Sequence, residues 1–301
     1  MLNFNRIGGP NIGNKDPIET MFSEPKKEPE KITICPYTDG FGSQFQTIIC
    51  AIIFSIKDGQ QFIYMPLKHV EHNYNNDALF TERLEELMNV RSHFTNIQDL
   101  DEETQKTVTI WDNGDAKDKL DWKIQEFVTP GMLENIRSIF WGNKDRDHFK
   151  NNKKNIAVHV RRPNIVDETL LDEHQKQFQN NNRYNTDEYF LGVIQRIRDE
   201  NKGNDLQFHI YSQTNIRSNF DRYISEDTLL HIDEDICSTF IGLAAADILV
   251  TSVSSFSYIA GFFNYGTVIY FPFWHKPLPH WHIYTDFRAE QPLWWSFGEN
   301  S

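Results

Sequence analysis

Short β-branched and aromatic runs alternate with longer stretches of helical period from residue 31 to residue 271, and no other feature restricts the fold as much. The runs 31–36, 61–65, 107–111, 156–160, 206–212, 227–232, 248–251 and 267–271 read as short strands; their near-continuous apolar character suits strands buried on both faces. Between them, 45–57, 79–90, 130–141, 186–201, 238–246 and 254–264 carry apolar residues at helical spacing. In 186–201, Thr186 is placed to cap the helix, and Tyr189, Val193, Ile194 and Ile197 form one stripe. Ser238 is read as the cap of the next helix. Strands that regularly alternate with helices imply right-handed crossovers and parallel sheets. The expected class is therefore α/β, with two Rossmann-like domains facing a cleft. Residues 1–30 read as a polar extension, 31–150 as an N-terminal α/β domain, 151–275 as a C-terminal one, and 276–301 as a tail that packs back at the junction.

Composition narrows the partners. The chain has 301 residues, 39% of them hydrophobic, and a formal net charge of −13. An acidic chain repels phosphate backbones and anionic lipid, which argues against a nucleic-acid binder or a peripheral membrane anchor. A small phosphorylated ligand remains compatible, because a local arginine pair can hold it. Cys35, Cys50 and Cys237 are too scattered for a disulfide framework or a zinc site and read as core residues in a reducing compartment. No basic start is followed by an apolar run, and the apolar stretch 48–56 is too short for a bilayer. The expectation is a cytoplasmic protein with no membrane span.

In parallel sheets, ligands bind beyond the carboxyl ends of strands, and three polar motifs fall there. His159-Val-Arg-Arg-Pro163 ends one strand. Two adjacent arginines can clamp a diphosphate, or they can form surface salt bridges. Ser252-Val-Ser-Ser-Phe-Ser257 leads into a helix, where hydroxyls and free amides form an anion site or merely cap the helix. Gly40-Phe-Gly-Ser-Gln44 reads as a tight loop after the first strand; it lacks the Lys-Ser/Thr of a nucleoside-triphosphate loop. Asp233-Glu-Asp235 has metal-binding spacing, but it also precedes a helix, where acids favour the dipole. His275, His280 and His282, with Trp274, Trp281, Trp294 and Trp295, suit a packed tail or a sugar-stacking surface.

The motifs Val158-His-Val-Arg-Arg-Pro-Asn164, Phe208-His-Ile-Tyr-Ser-Gln213, the segment 239–263 and the Gly-Phe-Gly-Ser-Gln loop stand together in one order. In this the chain resembles the superfamily of α1,2-, α1,6- and protein O-fucosyltransferases, with its HxRRxD motif, over residues 31–275. The resemblance implies a GT-B-like fold, with the acceptor side in 31–150 and the nucleotide sugar in 151–275. It implies GDP-fucose as donor, a glycan or glycoprotein as acceptor, and no required metal or other cofactor. Arg161 would contact the donor phosphates, with Arg162 beside it and His159 next to the nucleotide. Ser254, Ser255 and Phe256 match the phosphate- and base-contacting turn, and Ser212 and Gln213 match positions near the ribose or base. Gly42, Ser43 and Gln44 match a loop that closes over the donor. The motif's acidic residue is replaced by Asn164, which cannot act as a base. Asp167 and Glu168 could supply a carboxylate, or be solvated loop acids. The expected reaction is inverting displacement at the anomeric carbon. Transfer from another nucleotide sugar, and a non-catalytic binding module, are the alternatives.

Overall fold

The computed structural model describes residues 28–112, 114, 124–142, 144–163, 172, 184–214 and 219–284. The elements run β1 (Lys31–Ile34), α1 (Phe41–Asp58), β2 (Gln61–Phe62), α2 (Phe80–Met88), α3 (Glu102–Lys106), β3 (Thr109–Trp111), α4 (Ile124–Phe127) and α5 (Pro130–Trp141). They continue through β4 (Lys154–His159), α6 (Asp187–Glu200), β5 (Leu206–Ser212), β6 (Thr228–Ile232), α7 (Ile236–Ala245), β7 (Ile248–Val250), α8 (Ser255–Phe263), β8 (Thr267–Tyr270) and β9 (His282–Ile283). The strands form two sheets, ordered β2-β1-β3 and β6-β5-β4-β7-β8-β9. Every pairing in both is parallel. The α/β class with parallel sheets is therefore the observed one.

The central strands are apolar on both faces because both faces are covered. Ile156, Val158, Phe208 and Ile210 pack beneath Phe190, Val193 and Ile194 of α6. The alternate residues Ala157, Tyr211 and Leu249 belong to a core shared with Phe240 of α7 and Phe263 of α8. That core continues into the first sheet through Phe45 and Ile49 of α1 and Ile32 of β1. Aromatic rings fill the junction: Phe263 stacks on Phe45 at 5.1 Å and on Phe140 at 4.3 Å, and Phe240 meets Phe45 at 5.8 Å. Burying each such ring stabilises by about 1.5–3 kcal/mol. A junction this apolar resembles a single core more than the polar contact usual between hinged domains.

Two helix starts differ from the sequence reading, and both differences matter for the site. Helix α1 begins at Phe41, four residues earlier than expected, so Gly42, Ser43 and Gln44 lie in its first turn and not in a loop. The buried stripe Phe41, Phe45, Ile48, Ile49 and Ile52 carries the helix back through the glycine, with extended Gly40 as the cap residue. Helix α7 begins at Ile236 with Asp235 as its cap, not Ser238. The Asp235 carboxylate accepts from the amides of Cys237 (3.0 Å) and Ser238 (3.1 Å).

Beyond β8 the chain turns back over α8. Trp281 is buried against Gly261, where a Cβ would lie 2.8 Å from the indole, and β9 adds to the sheet beside β8. Among the described residues, no helix is long and apolar enough to cross a membrane.

Candidate functional site

The carboxyl ends of β1, β4 and β7 open toward one place. Helix α1 follows β1 and helix α8 follows β7, and their first turns touch. A Cβ on Gly42 would stand 2.4 Å from the Phe256 amide nitrogen and 2.9 Å from the Ser255 carbonyl carbon. Only a residue without a side chain lets the two backbones approach so closely. Two helix N-termini thus lie together, and each carries a partial positive charge.

Arg161 reaches this point from the end of β4. Its Nη1 donates to Ser254 Oγ at 3.0 Å. The same oxygen caps α8 by accepting from the Phe256 amide at 3.3 Å. His159, two residues before Arg161, meets Ser252 Oγ through Nδ1 at 2.9 Å, and its ring lies 5.6 Å from that of Phe256. Desolvation, reinforced by the charges of Arg161 and Arg162, pushes the His159 imidazole down to about 3. It is therefore a neutral group beside a cation at ordinary pH. His159, Arg161, Ser252, Ser254 and Phe256 form one connected cluster.

Arg162 is placed differently from the expectation. Its guanidinium forms an ion pair with Asp187 and donates to the carbonyls of Asn185 (3.0 Å) and Arg161 (2.8 Å). Asp187 also accepts from the Tyr223 hydroxyl at 2.7 Å. Through these contacts Arg162 braces the end of β4 against the start of α6. Asn185 extends the brace, since its Oδ1 accepts from the Val253 amide in the serine turn at 3.2 Å. Neither Asn185 nor Asp187 carried a motif signal.

The remaining expected contacts divide. Ser212 Oγ donates to the Val160 carbonyl at 2.6 Å, which ties the ends of β5 and β4 together. Half-buried Gln213 follows it at the same end of the sheet. Gln44 is buried, and its amide donates to the carbonyls of Asp39 and His69, each at 2.8 Å. It holds the segment before α1. Ser43 Oγ lies 3.4 Å from the Tyr37 hydroxyl. Asn164, Asp167 and Glu168, with Trp294 and Trp295, lie outside the described residues.

The acidic triplet has three separate structural tasks. Asp233 accepts from the Thr214 amide at 2.9 Å, Glu234 meets His231 Nδ1 at 2.6 Å, and Asp235 caps α7 while accepting from Arg83 of α2 at 2.6 Å. The last contact links the two sheets' helices near the same edge. Among the described residues, no three His, Cys, Asp or Glu side chains gather as a metal site. A cavity of about 270 Å³, lined by Trp141, Arg146, Asp247 and Tyr265, lies at the amino end of β7, away from Arg161.

No protein-family model matches the chain, and no curated protein matches it in sequence. Among solved structures, it is similar to POFUT1 in complex with GDP, with a TM-score of 0.41 and 13% identity over 78% of this chain and 94% of that one. It is similar also to NodZ alpha-1,6-fucosyltransferase soaked with GDP-fucose, with a TM-score of 0.36 and 12% identity over 79% and 93% of the two chains. Fucosyltransferase NodZ from Bradyrhizobium gives 0.34 and 11% over 78% and 93%. Overlaps this loose do not equate individual residues between the chains.

Proposed function

We propose that the chain is a glycosyltransferase that takes fucose from GDP-fucose, with the donor diphosphate bound between Arg161 and the first turn of α8. The observation that carries this reading is the Arg161–Ser254 contact, made where the N-termini of α1 and α8 meet. A guanidinium and two helix ends together form an anion site. The HxRR and serine-turn resemblance supplies the nucleotide sugar as the anion's identity. Arg162 contributes by bracing Arg161 from behind.

In the proposed reaction, an acceptor hydroxyl displaces the diphosphate at the anomeric carbon with inversion. Negative charge grows on the leaving phosphate oxygen. Arg161 and the α8 amides stabilise that charge more in the transition state than in the bound donor, which is the condition for a rate gain. The base is assigned to Asp167 or Glu168, because Asn164 has no proton-accepting carboxylate.

Calorimetry of the chain against GDP, GDP-fucose and UDP tests the donor. GDP affinity that Arg161→Ala abolishes is the expected result, and no affinity for either guanine ligand would sink the reading. The substitution of Asn for the motif's acid favours one second reading, a module that binds the donor without transferring it. Release of GDP from GDP-fucose in the presence of candidate glycan acceptors separates the two.

A further inference from the structure

The cavity of about 270 Å³ at the amino end of β7 is lined by the last turn of α7 and the Asp247 that follows it, and by Trp141, Arg146 and Tyr265. Its frame is fixed. Buried Asn264 donates through Nδ2 to the carbonyls of Ala246 (2.8 Å), Leu243 and Ala244 (3.2 Å each). The Trp141 indole donates to the Phe263 carbonyl at 2.8 Å. The Thr267 amide donates to the Asp247 carbonyl at 2.9 Å. Drug-sized ligands occupy about 300–1,000 Å³, so this volume suits a single small ring.

Two charged groups of opposite sign line the cavity without pairing. The Arg146 guanidinium lies over the Tyr265 ring, 4.8 Å from its centroid. Among the described residues, no hydrogen bond or ion pair engages it. Arg137 shares the same ring at 4.7 Å, but its Nε and Nη2 already donate to the carbonyls of Phe262 and Asn264. Asp247 Oδ2 accepts from the Asn155 amide at 2.7 Å; among the described residues, its Oδ1 meets no donor.

This arrangement selects a class of ligand. An anion drawn by Arg146 meets the Asp247 carboxylate and the negative end of the α7 dipole. A cation drawn by Asp247 meets Arg146. An apolar ring strips water from both charges and gives them no partner. A neutral ring with adjacent hydroxyls satisfies both, because a hydroxyl donates as well as accepts. The guanidinium fork donates to two neighbouring hydroxyl oxygens, and a hydroxyl donates to Asp247 Oδ1.

We propose that this cavity is a second carbohydrate site, which holds one neutral sugar residue between Arg146 and Asp247. It lies at the other end of the strands from Arg161, and its ligand binds whether or not the chain holds a nucleotide.

The test titrates nitrogen-labelled protein with the methyl glycosides of fucose, galactose, mannose and N-acetylglucosamine. Inorganic phosphate and methylammonium serve as the charged competitors. NMR reads the Arg146 Nε–H and the Ala245 backbone amide, and the variants are read at Ala245. At least one glycoside is expected to shift both signals to saturation. Arg146→Lys keeps the charge and loses the fork; Asp247→Asn keeps an acceptor for the Asn155 amide and loses the charge. Each should weaken the glycoside about tenfold or more, the effect of losing a hydrogen bond to a charged group, with an unchanged thermal midpoint to show an intact fold. No shift from any of the glycosides overturns the proposal. So does a glycoside affinity that both variants retain, which places the sugar elsewhere. Phosphate binding that tightens in Asp247→Asn also overturns it and makes the cavity an anion site.

Discussion

Replacing Gly42 by alanine should damage the site far more than the fold. The new Cβ would lie 2.4 Å from the Phe256 amide nitrogen, 2.5 Å from its Cα and 2.9 Å from the Ser255 carbonyl carbon. Ordinary contacts of this kind lie near 3.5–4.0 Å, so the two first turns must separate by about 1 Å. All three atoms are backbone, and no side-chain rotation can absorb the clash. Overpacking of this kind costs about 1–3 kcal/mol. Alanine at a helical position returns about 1 kcal/mol, which leaves a net loss of about 0–2 kcal/mol. For a chain of this size that lowers the thermal midpoint by no more than about 4 °C. A displacement of about 1 Å in catalytic positioning can cost about 10²-fold in rate. The assays are thermal unfolding, GDP calorimetry and turnover of GDP-fucose. A Gly42→Ala protein with wild-type affinity and turnover would refute the claim that the close contact of α1 with α8 sets the site.

The two arginines should separate by assay. Arg162→Ala breaks an ion pair whose side chains are 9% and 18% exposed, and should cost up to about 3–5 kcal/mol in urea unfolding. Arg161→Ala should cost under about 1 kcal/mol but abolish GDP binding; the reverse pattern would exchange their roles. Acid should destabilise the fold through histidines held neutral: desolvation lowers His159 to about 3 and His209 to about 4, from an ordinary 6.5. Below pH 6.5 the unfolded chain takes up protons that the folded chain refuses, so this stability is complete above about 6.5 and declines as pH falls toward 4. His159→Asn should flatten that decline in a pH series of denaturation midpoints, and an unchanged slope would remove His159 from the account. Asp235→Ala should cost about 0.5–2 kcal/mol through the lost α7 cap, while Asp235→Asn should lose only a few tenths, because the pair with Arg83 is exposed. Equal losses from both would assign the stability to the ion pair.

The strand pattern was legible because a parallel sheet covered on both faces writes itself as short apolar runs. The reading 206–212 matches β5, and 130–141 matches α5, residue for residue. The helix starts were less legible for a local reason. Glycines at 40 and 42 signal a loop, yet only Gly40 stands outside α1. Gly42 is helical, and it is glycine because another helix lies against it, a cause 214 positions away in sequence, at Phe256. Ser238 looked like a cap because serine caps well, but a carboxylate three residues earlier reached the free amides first.

The same distinction runs through the site. Arg161 and Arg162 are adjacent and chemically identical, and sequence offers no reason to part them. Successive residues leaving a strand point to opposite sides, so one guanidinium reaches Ser254 while the other reaches Asp187. Motif reading identifies which residue types converge on an anion. It does not identify which of them a neighbouring carboxylate already holds, because Asp187 lies 25 positions from Arg162 with no pattern linking them. His275 is the converse case. Among prolines and tryptophans it had the look of a tail residue, and its contacts with Gln46 and Ser255 arise only when β1, β7 and the returning chain are folded together. What a sequence motif contributes to such a site is therefore the list of groups able to bind. The direction in which each group points is set by residues outside the motif, as Asp187 sets that of Arg162.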